Sequence, residues 1–184
     1  MKKRLEDKIL LLQVRAGSHE AFSELYKKYV SSLYRYIFFK VASSADAEEL
    51  TSSVFLKLWR HIKDGNKISN ARSFLYKIAK NSVVDYYRAR NGQDTISLEE
   101  IAQTYFHGED SLDDQIDARA KFSEIKNFLG KIKGEYREVI MLKYVEGLSS
   151  KEIALVLNKS QASTRVHIHR AVKSLKQLMD KHKK

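Results

Sequence analysis

The sequence contains no cysteine and no proline, and only seven glycines in 184 residues. Without cysteine there can be no disulfide, no thiolate nucleophile and no cysteine-ligated zinc. With no proline and so little glycine, few residues interrupt long helices, and the composition favours an all-helical chain with short turns. Long hydrophobic runs are missing too. The opening stretch MKKRLEDKILLLQVR is basic, and its apolar part is short and broken by charge, so it fits neither a signal peptide nor a membrane span. The expected location is the cytoplasm, with no insertion into a membrane. Apolar residues make up 43% of the chain, enough for two modest cores. The formal charge of +11 points to a polyanionic partner.

That charge is unevenly placed. Residues 1–91 carry 18 Lys/Arg against 9 Asp/Glu, a net of +9. Residues 92–117 carry no Lys or Arg and eight carboxylates. Residues 118–184 return to a net of +10. Two basic blocks joined by an acidic tether suit two nucleic-acid-binding domains whose linker must avoid DNA. The plainer reading of the tether is a solvated, unstructured segment.

Four helices fit the first block. The first spans about 6–16, with Leu5, Ile9 and Leu12 at helical spacing and Gly17 closing it. Ser18 can cap the second, whose apolar stripe is Phe22, Leu25, Tyr26, Tyr29, Leu33, Tyr36 and Ile37. Ser43 or Ser44 opens the third, with Asp46, Glu48 and Glu49 at its positive end and Leu50, Val54, Leu58 and Ile62 on its buried side. Asn70 caps the fourth, which ends near Arg90. On it Leu75, Ile78, Ala79, Ser82 and Tyr86 are expected to pack inward, while Arg72, Tyr76, Lys80 and Tyr87 share an outward arc. A basic, aromatic face suits phosphates and unstacked bases, although such a face is often merely solvated.

The tether lacks a clean period, with a possible helix near 97–105. The second block resumes with Phe122, Ile125, Leu129 and Ile132, then Tyr136, Val139, Ile140 and Tyr144, ending at Gly147. Next comes the most specific local signal, SSKEIALVLNKSQASTRVHIHRAVKSLK. Ser149 and Glu152 have the spacing of a capping box. Asn158-Lys159 makes the turn, because Asn tolerates a left-handed backbone. Ser160 caps a long helix with Ile168, Ala171, Leu175 and Leu178 inside. The pattern is a helix-turn-helix whose second helix would enter the major groove by its N-terminal part. Ser163, Arg165, His169, Arg170 and Lys173 are placed to reach DNA, and Arg is the usual reader of guanine edges.

The blocks AFSELYKKY (21–29), DAEELTSSVFLKLW (46–59), FLYKIAKNSVVDYYR (74–88), YREVIMLKYVEGLSSKEIALVLNKS (136–160) and TRVHIHRAVKSLK (164–176) together resemble an extracytoplasmic-function (ECF) RNA polymerase sigma factor of the sigma-70 family, almost end to end. The resemblance implies an all-α fold of two small helical domains. Residues 1–91 would bind core RNA polymerase and the promoter's minus-ten element, 92–117 would be the acidic linker, and 118–184 would read the minus-thirty-five element. Asp46, Glu49, Leu50 and Phe55 would dock on the polymerase. Asn66, Arg72, Tyr76, Lys80, Asn81 and Arg88 would hold the melted strand. The linker would follow the polymerase's nucleic-acid channels, and an anti-sigma factor is an expected partner. Departures from the family's usual pattern are Phe74 in place of a common Trp, Ile132-Lys133-Gly134 in place of a common Leu-Pro entry, and Ala162-Ser163-Thr164-Arg165-Val166-His167 at the recognition helix. The last leaves base preferences open.

No catalytic group and no cofactor are expected. His167 and His169 lie two apart on a helix, so they point in different directions and cannot chelate one ion. Asp113, Asp114 and Asp117 sit in the tether without His or Cys partners. Two rival readings remain. A helix-turn-helix regulator acting outside the polymerase would share only the last block. A basic nuclease or recombinase would need a nucleophile, for which Tyr86 and Tyr87 are the loose candidates.

Overall fold

The computed structural model describes residues 2–41, 43–91 and 131–182, and every regular element among them is helical. The tether, the segment holding Phe122, Ile125 and Leu129, and the helix expected near 97–105 lie outside the described residues.

The first four helices are α1 (Lys2–Arg15), α2 (His19–Val41), α3 (Ser44–Lys63) and α4 (Ala71–Asn91). Their starts follow local capping chemistry. The Ser18 hydroxyl accepts from the Ala21 amide at 3.1 Å, Ser43 from the Asp46 amide at 3.3 Å, and Asn70 Oδ1 from the Ser73 amide at 2.8 Å. Leu25, Leu33, Tyr36 and Ile37 of α2 meet Val54, Leu58 and Ile62 of α3 and Leu75, Ala79 and Val83 of α4 in one apolar cluster.

On α1 the line Leu5, Ile9, Leu12 faces solvent, and Asp7, Leu11 and Val14 face the core. A carboxylate in that inward line is tolerated because the Tyr29 hydroxyl donates to it at 2.5 Å and the Lys28 ammonium sits 2.7 Å away.

After residue 131, α5 (Gly134–Ile140) runs into a π-helical turn at Met141–Val145, followed by α6 (Ser150–Leu157) and α7 (Gln161–His182). The wider turn carries Tyr144 out to solvent, off the apolar line that Tyr136, Val139 and Ile140 suggest. Gly147, at φ +67°, reverses the chain in a conformation an L side chain rarely adopts. Ser149 and Glu152 form the full capping box, Asn158 is left-handed at φ +52°, and the Ser163 amide donates to the Ser160 hydroxyl at 3.1 Å. Ile132, Val139, Ile140, Met141 and Ala171 form a second small core, with Phe39 of α2 against it.

The two units are not separate. Leu142, Leu148, Ile153 and Val156 belong to the same apolar cluster as α1–α4, and α6 packs along α4. This overturns the outward arc expected on α4. Tyr76 is fully buried, and Tyr87 is buried with its hydroxyl donating to the Lys40 carbonyl at 3.0 Å. Tyr86 is only half-buried.

Candidate nucleic-acid interface

The helix-turn-helix presents its outer face as the sequence suggests. Ser163, Arg165, His169, Arg170 and Lys173 of α7 are all exposed. They are held by what lies beneath them. Thr164 is buried, and its hydroxyl donates to the Ser160 carbonyl at 2.9 Å, fixing the first turn of α7. Ala171 is buried where α7 crosses α5. The two histidines part company: His169 faces solvent, whereas the His167 ring lies 2.9 Å from the Glu135 carboxylate and edge-on to Tyr136. The hydrogen bond to His167 holds the Glu135 carboxyl below the usual carboxylate range. No cluster of three or more metal-ligating side chains occurs among the described residues.

The second basic face, on α4 and the loop before it, is split. Asn66, Asn81 and Arg88 are exposed, with Arg88 3.9 Å from Asp85 in a loose ion pair. Arg72, Tyr76 and Lys80 instead lie against the C-terminal unit. Arg72 donates to the carbonyl oxygens of Glu146 and, at 3.4 Å, Gly147. The Tyr76 hydroxyl donates to the Glu146 carboxylate at 2.6 Å, and burial raises the Tyr76 phenol beyond its ordinary range. Burial pulls the Lys80 ammonium below its usual value, against the opposing pull of Glu138.

Two acidic side chains of the C-terminal unit complete this contact. Glu146 takes a two-pronged hydrogen bond from Arg35, Nε at 3.2 Å and Nη2 at 3.0 Å. Glu138 is paired with the Lys40 ammonium and the Tyr36 hydroxyl. The sequence reading missed both carboxylates. Their signals were an acid directly before the apolar stretch Val139–Leu142 and another directly before Gly147.

The third surface is on α3. Glu49 is exposed and Leu50 half-buried, but Phe55 is core, packed against Phe22 and Tyr26. Asp46 is already engaged, accepting from the Tyr86 hydroxyl at 2.5 Å with Arg90 at 3.3 Å. That arrangement raises the Tyr86 phenol to about 12, chiefly through burial and then through Asp46. An open groove of about 390 Å³ here is lined by His19, Phe22, Tyr26, Ser52, Phe55, Leu56 and Trp59. Tyr26 and Leu56 are its exposed apolar members; Tyr26 was expected in the inward stripe of α2, and Leu56 was not singled out by the sequence.

Residues 25–93 match the family model for sigma-70 region 2, and residues 123–175 match that for sigma-70 region 4. The ECF RNA polymerase sigma factor BldN of Streptomyces coelicolor is 29% identical over 173 residues, covering 92% of this chain; the chain spans 64% of BldN's length. The ECF RNA polymerase sigma factor SigM of Bacillus subtilis is 25% identical over 158 residues, covering 86% of this chain and 94% of SigM. The solved structure of CnrH in complex with the cytosolic domain of CnrY superposes with a TM-score of 0.68 at 24% identity, over 95% of this chain and 97% of that one. The sigma factor RpoE in complex with the anti-sigma factor NepR from Bartonella quintana gives 0.65 at 18% identity, over 86% and 96%.

Proposed function

The chain belongs to the sigma-70 family, in its extracytoplasmic-function group, and from that premise we propose how its surfaces share the work. It is an alternative sigma factor that directs RNA polymerase to promoters, an initiation factor and not an enzyme. A helix-turn-helix regulator working outside the polymerase would account for residues 123–175 but not for region 2 at 25–93.

In this proposal residues 1–91 bind core polymerase and the minus-ten element, 92–117 form the linker, and 118–184 read the minus-thirty-five element as duplex. The observation that carries the reading is the α7 face. Five exposed polar side chains stand on a helix whose entry is fixed by Ser160, Thr164 and the left-handed Asn158, which is the rigid presentation a major-groove reader needs. Arg165 reads a base edge, while Lys173 contacts phosphate.

On the polymerase, Arg72, Tyr76, Lys80, Asn66, Asn81 and Arg88 hold the melted non-template strand. Glu49, Leu50 and the groove that Phe55 helps to line dock on the polymerase, with Asp46 setting the angle of α3 against α4. An anti-sigma factor is a further partner, as it is for RpoE of Bartonella quintana. The site of action is the cytoplasm, and no described helix is long and apolar enough to cross a membrane.

The test is reconstitution with core polymerase on a promoter duplex, followed by permanganate reactivity of the promoter thymines. Asn81→Ala, on an exposed side chain, is expected to reduce strand opening while leaving duplex binding through α7 intact. Normal reactivity in that variant removes Asn81 from the strand path.

A further inference from the structure

Three titratable side chains meet where the helix-turn-helix rests on α5. The His167 Nε2 lies 2.9 Å from the Glu135 carboxylate and 3.2 Å from the Lys159 ammonium. That ammonium is itself 3.9 Å from Glu135. Tyr136 stands edge-on to the ring, and Lys133 at the cap of α5 adds its charge near Glu135. Along α7 the nearest charged neighbour in sequence is Arg170, which is exposed. The ring is largely covered, with 18% of its side chain exposed, whereas Lys159 and Glu135 both reach solvent.

A ring nitrogen carries either a proton or a lone pair. The contact to Glu135 needs the proton, and a hydrogen bond from Lys159 needs the lone pair. The two short contacts at one Nε2 therefore belong to different states of the ring. In the neutral ring Lys159 is held in either case. It donates to a bare Nε2, or it is drawn to a Glu135 carboxylate whose charge nothing on the ring offsets. In the imidazolium, Nε2–H donates to Glu135, its charge compensates the carboxylate, and it repels Lys159. Two cations then share one carboxylate, and Lys159, the more exposed of the two, is released.

The position of Lys159 gives that release a consequence. It stands directly before Ser160, whose hydroxyl fixes the first turn of α7 by accepting from the Ser163 amide. A cation in the turn that leads into a recognition helix borders the DNA backbone, where contacts set register and orientation.

We propose that Lys159 is a phosphate contact of the helix-turn-helix and that the proton on His167 gates it, moving Glu135 onto the imidazolium and freeing the ammonium for a duplex phosphate. The proposal rests on the assignment of α7 as the duplex reader made above. Histidine is the side chain that changes charge between pH 5 and 8. Duplex binding therefore gains one phosphate contact on the acid side of that range. Glu135 is a positioning residue here: it never touches DNA and decides whether Lys159 does.

The test is the affinity of the full-length chain for a short mixed-sequence duplex, followed by fluorescence anisotropy against salt concentration at pH 6 and pH 8. Each phosphate contact steepens the plot of log affinity against log salt by about 0.9. The exposed His169 can add its own charge in acid, so the measure is the part of the pH difference that variants remove. Lys159→Ala should cut that difference by about 0.9, through a shallower slope at pH 6 alone. His167→Gln, which can still donate to Glu135 but takes up no proton, should cut it equally. Glu135→Gln, at a partly exposed position, should give the steeper slope at both pH values. Helical circular dichroism at each pH checks that the variants fold.

Equal slopes at the two pH values in the unaltered protein overturn the gate, as does a pH difference of full size in His167→Gln. A slope at pH 6 that Lys159→Ala leaves unchanged overturns the phosphate contact. Failure to bind duplex at either pH would sink the α7 assignment and the gate with it, whereas binding with a pH-independent slope sinks the gate alone.

Discussion

Replacing Glu138 by Gln is expected to destabilise the folded chain strongly at neutral pH and progressively less as the solution is acidified. The Glu138 carboxylate is paired with the Lys40 ammonium and the Tyr36 hydroxyl, and Tyr36 is fully buried. Breaking a buried pair by removing one charge costs about 3–5 kcal/mol, because the remaining charge is left uncompensated. The Lys40 side chain retains 19% exposure and can reach water, and the Gln amide oxygen can still accept from Tyr36, so the lower end of that range applies. The pH dependence follows from linkage. Burial pushes the Glu138 carboxyl up, but Lys40 and Tyr36 pull harder, and the folded value lies below that of an ordinary glutamate. A carboxyl depressed on folding contributes stability that is fully present above its unfolded value of about 4.3 and is lost as pH falls through the folded value. Gln does not titrate, so the gap between wild type and variant should be widest near neutrality and should narrow below about pH 4.3. Urea unfolding followed by helical circular dichroism measures it. A gap of the same size at acid and neutral pH would refute the reasoning. As a control, replacing Lys40 and Glu138 together with Met and Leu should destabilise less than Glu138→Gln alone.

Other expectations concern DNA, polymerase and local stability. Arg165→Ala should weaken binding to the cognate minus-thirty-five duplex and relax its base preference by about 1–3 kcal/mol. Lys173→Ala should weaken all duplexes alike and shallow the salt dependence. Competition assays on cognate and scrambled duplex separate the two, and equal losses for Arg165→Ala would demote it to a phosphate contact. Glu49→Lys is expected to weaken core-polymerase binding without touching the fold, because Glu49 is exposed. Asp46→Lys should lower both affinity and melting temperature, because it also breaks the contacts to Tyr86 and Arg90; an unchanged melting temperature would contradict that structural role. Ser149→Ala should destabilise α6 by about 1 kcal/mol through loss of the capping box. Unfolding curves of that variant should shift in midpoint without a change in slope.

How legible the fold was in the sequence depended on how far each interaction reaches along the chain. Caps at Ser18, Asn70, Ser149 and Ser160 and the turn at Asn158 act over three or four residues, and each stands where the sequence places it; of the two serines open at the start of α3, Ser43 is the cap. The exposed face of α7 was likewise readable, because it is the polar complement of Ile168, Ala171 and Leu175. The face of α4 was not. Whether Tyr76 looks outward is decided by Glu146, 70 residues away, and nothing in the spacing of Arg72, Tyr76 and Lys80 reports that partner. On α1 a paired buried acid, Asp7, stood in the inward line and shifted the apparent apolar stripe to Leu5, Ile9 and Leu12. The π turn added a second error. One wide turn was enough to move Tyr144 from the expected core to solvent. Phe55, expected at the docking surface, is nearly buried but forms part of the groove wall; Tyr26, expected in the apolar stripe of α2, is exposed there, and Leu56 carried no expectation.

The most direct test of the central claim is run-off transcription by purified core RNA polymerase on a library of randomised promoters, with and without this protein. Initiation should depend on the protein and should select templates sharing two short elements at a fixed separation. Arg165→Ala should broaden the upstream element and leave the downstream one unchanged. Transcription that is the same with and without the protein, or a selected set with no common pair of elements, would contradict the account.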